Sequence, residues 1–66
     1  MLIQVAENLQ QEQIREREIR ALTAAMSSLN LKEGLILTAN GEDSLAIGNL
    51  NIHIQPIATW MLRGEG

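Results

Sequence analysis

The chain has 66 residues, a formal net charge of −3, 45% apolar residues, no cysteine, one histidine (His53) and one aromatic residue (Trp60). That length allows one small domain near the lower limit for a self-sufficient core, without disulfide or thiolate-metal frameworks and with little scope for a zinc site. The acidic balance gives no footprint for nucleic acid or an anionic membrane, no apolar stretch approaches the length of a membrane span, and the opening residues, polar by Glu7, do not read as a signal peptide, so a cytoplasmic soluble domain is expected.

Met1 to Val5 is a short apolar run with β-branched residues at Ile3 and Val5, and it reads as a strand. A domain seldom begins inside a core strand, because termini are poorly ordered unless tied down. The start is therefore expected to fall partway through a larger fold. Residues 7–13, ENLQQEQ, are polar. Ile14, Ile19, Leu22, Ala25, Met26 and Leu29 then recur at helical spacing and predict an amphipathic helix. Glu12, Glu16 and Glu18 suit the positive end of its dipole, and Glu16 with Arg20 is ordered for a pair worth about 0.3 kcal/mol. Ser27, Ser28 and Asn30 weaken the pattern, so the helix is expected to end between Leu29 and Leu31.

Gly34-Leu-Ile-Leu-Thr38 is apolar on consecutive positions, as in a strand buried on both faces of a parallel sheet. Strand, helix and strand make a right-handed βαβ unit. Ala39 to Asp43 form a turn, with Asn40-Gly41 supplying positive-φ positions. Ser44 to Ile47 and Leu50 to Gln55 flank Gly48-Asn49, a two-residue hairpin signal. Leu50, Ile52 and Ile54 alternate with Asn51, His53 and Gln55, which predicts one buried and one partly wet face. Pro56 ends the ladder, and Ile57 to Leu62 form a short helical turn that places Trp60 and Met61 over the sheet edge.

The fold class is therefore α/β: a βαβ unit followed by a hairpin, in a small mixed sheet of three or four strands with one long helix on one face. Residues 1–63 form the domain and residues 64–66 a flexible tail. One helix covers only one face, while Leu35-Ile36-Leu37 expects cover on both. A homodimer, or another protein, is the expected cover for the remaining face.

Candidate chemistry is sparse. Glu42 and Asp43 are the best acidic pair, but magnesium sites add substrate phosphates and waters to one or two carboxylates, and here the pair reads as a solvated turn. Arg15, Arg17 and Arg20 are interleaved with Glu12, Glu16 and Glu18, a salt-bridge-laced surface rather than a phosphate-binding face. His53 lies on the polar side of its strand, where spacing reliably supplies neither a nucleophile nor an orienting carboxylate, and it reads as a half-exposed structural histidine. Trp60 reads as a lid or interface anchor. No catalytic, metal-binding or cofactor-binding residue is assigned.

Four stretches carry a resemblance: IQV at residues 3–5, REREIRAL at 15–22, KEGLILT at 32–38 and IHIQPIATWML at 52–62. Their order resembles the C-terminal PD-(D/E)XK restriction-endonuclease-like module of prokaryotic P-loop ATPases, and the similarity spans Ile3 to Leu62. The resemblance implies that this chain corresponds to the last half of that module. The family's acidic metal ligands and lysine precede the IQV strand and have no counterpart here, and no Gly-x-x-x-x-Gly-Lys loop is present. Gln4 matches the glutamine of the family's strand. The resemblance thus implies a non-catalytic unit acting by self-association or protein contact, without a cofactor. The alternative is a metal-dependent nuclease site rebuilt across a dimer from Gln4, Glu42 and Asp43.

Overall fold

A computed structural model describes residues 1–62. Its elements are strand β1 (Leu2–Val5), helix α1 (Glu12–Ser28), strands β2 (Glu33–Thr38), β3 (Asp43–Ile47) and β4 (Leu50–Pro56), and helix α2 (Ile57–Leu62). The strands form one mixed sheet in the order β1-β2-β4-β3. β1 and β4 both run parallel to β2, with Ile3 and His53 flanking Leu35, and Gln4 and Ile54 flanking Ile36. β3 is antiparallel to β4, with Ser44 opposite His53 and Ile47 opposite Leu50. The α/β reading, the strand-helix-strand unit and the hairpin all hold.

Helix α1 forms where the apolar stripe predicts it. Leu22 and Met26 are fully buried and join Ala6, Leu9, Ile36, Ile52 and Ile54 in one cluster, with Leu2, Ile19, Leu31, Leu45 and Leu50 packed around it. Gly34 lies under the helix, where a side chain would meet Met26 and Leu22. The helix ends in a Schellman motif. The Asn30 N–H donates to the Ser27 carbonyl at 3.2 Å and the Leu31 N–H to the Met26 carbonyl at 2.8 Å. Asn30 adopts the left-handed conformation (φ 58°) that this ending requires and that asparagine tolerates better than most residues. Leu31 packs back against the core cluster that includes Met26, in keeping with the apolar contact that accompanies the motif.

The same motif explains a departure from the predicted stripe. Leu29 is the C-cap, just past the last helical residue, and it is exposed. Two further departures are local. Asp43 is the first residue of β3 rather than the end of a turn, and in the Asn40-Gly41 pair the positive φ belongs to Gly41 alone (111°). Glu16 and Arg20 do not form an ion pair among the described residues.

The sheet face turned away from α1 is filled unevenly. At its centre Leu35 and Leu37 are only 4% and 3% exposed, whereas on β1 Ile3 and Val5 remain 47% and 62% exposed. Helix α2 follows Pro56, the last rung of β4, and packs against β4 and β2. Trp60 is half-buried there, but Met61 is exposed, because a helix of six residues presents only one side to the sheet. The expected bare face is thus reduced to its β1 side. Residues 64–66, read as a tail, lie outside the described residues. Among the described residues no helix is long and apolar enough to cross a membrane.

Candidate functional site

The three residues considered for a rebuilt metal site are separated by the fold. Gln4 sits on β1 with its side chain toward α1, where Nε2 donates to Glu18 Oε1 at 2.6 Å. Glu42 is exposed in the loop before β3. Asp43 opens β3, at the opposite edge of the sheet from β1. Three inter-strand spacings separate those edges, roughly 14 Å. Among the described residues, no group of three or more His, Asp or Glu side chains is placed to hold a metal ion.

Asp43 has a defined local role. Arg15, on the helix face toward the sheet, donates to Asp43 Oδ2, and the Ser44 N–H donates to Oδ1 at 2.8 Å. These two donors, the Arg15 guanidinium first, hold the Asp43 carboxyl below its ordinary value of 3.8. A carboxyl depressed in the folded state stabilises the fold fully above its unfolded value and loses that contribution as pH falls through the lower folded value. An NMR titration of the Asp43 carboxyl is therefore expected to give a midpoint below 3.8 that rises in Arg15→Ala. An Arg15→Ala midpoint equal to that of the parent would show that the pair does not set the value. Arg17 and Arg20 are exposed on the helix.

Beside this pair lies a shallow groove of about 410 Å³ lined by Leu9, Gln10, Glu12, Arg15, Glu42 and Asp43 among others. A second hollow, of about 510 Å³, adjoins it along residues 7–10 and 38–40. Both lie beyond the carboxyl ends of the parallel strands, the usual ligand position in open α/β sheets. The lining is acidic, and its arginine is already engaged by Asp43. Such a surface does not attract phosphate or nucleic acid.

Strand register creates a polar row on the opposite face. Ser44 Oγ is 2.9 Å from His53 Nδ1, and His53 Nε2 is 3.4 Å from Glu33 Oε1. Glu33 Oε2 accepts from Asn51 Nδ2 at 2.8 Å. His53 therefore has both a hydroxyl and a carboxylate in reach. The Ser44 half of the row follows from counting back from the two-residue hairpin turn. The Glu33 half depends on the parallel pairing of β2 with β4, which no local pattern encodes.

The row has the residue types of a hydrolytic triad without the setting of one. Its side chains lie on a flat strand surface, with His53 and Glu33 41% and 46% exposed, and neither groove includes Ser44 or His53. Nucleophilic catalysis needs an enclosed position beside the hydroxyl and oriented donors for the developing oxyanion. The row acts as cross-strand hydrogen bonding that fixes the hairpin against β2. Next to it, Gln55 Oε1 is buried without a hydrogen-bond partner among the described residues.

No protein-family model matches this chain, no curated protein matches it, and no solved structure matches it.

Proposed function

We propose that this chain acts by protein contact, as a non-catalytic cytoplasmic unit related to the second half of the nuclease-like module of P-loop ATPases. One observation carries the contact reading: Ile3 and Val5 are 47% and 62% exposed on an edge strand, beside the buried Leu35 and Leu37. Apolar β-branched side chains and an unpaired strand edge together form a surface that gains from being covered. The acidic groove and the open Ser44–His53–Glu33 row supply no enclosed reacting position to set against it.

A nuclease site rebuilt between two chains would need Gln4 of one copy beside Asp43 of another. Those residues lie on opposite sheet edges, so their meeting requires β1 against a neighbour's β3. Edge to edge, that contact is heterologous and gives a ring or an open filament rather than a two-chain dimer. Plasmid DNA incubated with the purified protein and magnesium or manganese is expected to remain intact. Cleavage that disappears in Glu42→Gln would overturn the non-catalytic reading.

A further inference from the structure

We propose that two copies of this chain pair through β1, antiparallel about a two-fold axis at Gln4, with Ile3 of each copy opposite Val5 of the other. This deepens the protein-contact reading and rests on it. The Ala6 N–H donates to the Leu37 carbonyl at 2.9 Å, so the backbone of Ala6 points into the sheet. Backbone groups alternate along a strand, which turns Gln4 and Leu2 toward β2 and leaves the N–H and C=O of Ile3 and Val5 facing the free edge. In antiparallel pairing, setting Ile3 against Ile3 turns the Val5 groups to Met1, and setting Val5 against Val5 turns the Ile3 groups to Glu7, so each of these registers relies on a residue outside β1. Setting Ile3 against Val5 engages all four.

Charge and side-chain shape favour this edge and a second copy of it. Residues 1–6 carry no charged side chain, so the strand meets no like charge when it pairs with itself. Edge strands are normally protected by such charges. Ile3 and Val5 would form β-branched cross-strand pairs, the favourable kind. The other edge, β3, starts with Asp43 and shows only Ser44 and Ala46 on that face. A four-residue edge buries less than the roughly 1,200 Å² of a standard interface, so the association is weak and concentration-dependent.

The chain has no cysteine, so single substitutions report the register directly. Hydrogen-bonded antiparallel partners lie about 5.5 Å apart between Cα atoms, within disulfide range. Under mild oxidation a mixture of Ile3→Cys and Val5→Cys is expected to give a mixed disulfide at least about tenfold more efficiently than either variant alone. Light scattering should show dimer growing with concentration. Val5→Pro removes an outward N–H and leaves the bonds to β2 in place, so it should weaken association at least about tenfold with unchanged circular dichroism. If that variant does not fold, Val5→Lys, which keeps the N–H and adds a charge, decides in its place.

A parent chain that stays monomeric at about 1 mM, or cysteine variants that cross-link no better mixed than alone, would overturn the pairing. The plasmid assay reports on the non-catalytic reading independently of either result.

Discussion

Ile36→Ala is expected to leave this chain largely unfolded in water at 25 °C. Ile36 is fully buried at the middle of β2, between Gln4 and Ile54 on the neighbouring strands and in the same cluster as Leu22 and Met26 of α1. Removing its outer carbons loses transfer free energy and leaves a cavity that the rigid central strand cannot close, together about 2–5 kcal/mol. A domain below 70 residues rarely holds more than about 3–5 kcal/mol in its core, so the loss is comparable to the whole stability. Urea titration followed by circular dichroism measures it. Ile36→Val, which removes one methylene, should fold with a loss of about 0.5–1.5 kcal/mol. An Ile36→Ala protein with its urea midpoint intact would mean that the cluster under α1 is not what holds the sheet.

Gly34→Ala should cost about 1–3 kcal/mol, although it adds a single methyl group to a strand. A Cβ at Gly34 would lie 2.5 Å from Met26 Sδ and 3.1 Å from Leu22 Cδ2, and both of those side chains are fully buried. Strand propensity alone would favour alanine over glycine, so the sign of the effect separates packing from backbone entropy. Methionine is flexible enough to yield, which makes a double-mutant cycle informative. Met26→Ala on its own leaves a cavity worth about 2–5 kcal/mol. The Gly34→Ala, Met26→Ala pair should be less destabilised than the sum of the two by about 1 kcal/mol or more. Strict additivity would show that the helix does not rest on Gly34 through Met26.

Most of the fold is carried by local patterns. The Leu22 and Met26 stripe specifies the buried side of α1, the consecutive apolar residues 35–37 specify an inner strand, and Gly48-Asn49 specifies the hairpin. Each of these is a periodicity or a turn preference readable within a few residues. The features that were not legible depend on pairings distant in sequence. Asp43 becomes a strand residue because Ile54 pairs with it and Arg15 on α1 bonds to it. Leu29 leaves the helical stripe because Asn30 reverses the chain there. His53 gains Glu33 through the β2–β4 register. Leu35 and Leu37, by contrast, alternate with Ile36 onto the other face and are buried there, as a strand apolar on consecutive positions predicts.

The strand order also sets the sequence of events by which this sheet can be completed. β4 follows β3 in sequence but occupies an inner place, between β2 and β3. β3 pairs with β4 alone, so until residues 50–56 are in place β3 has nothing to pair with. The first half can form its strand-helix-strand contacts earlier, with one side of β2 left open. Hairpin closure takes microseconds, and the hairpin then joins β2 through its trailing strand. The β4 side of Leu35-Ile36-Leu37 is therefore the side that stays open until the hairpin docks, and β4 is the strand that closes it.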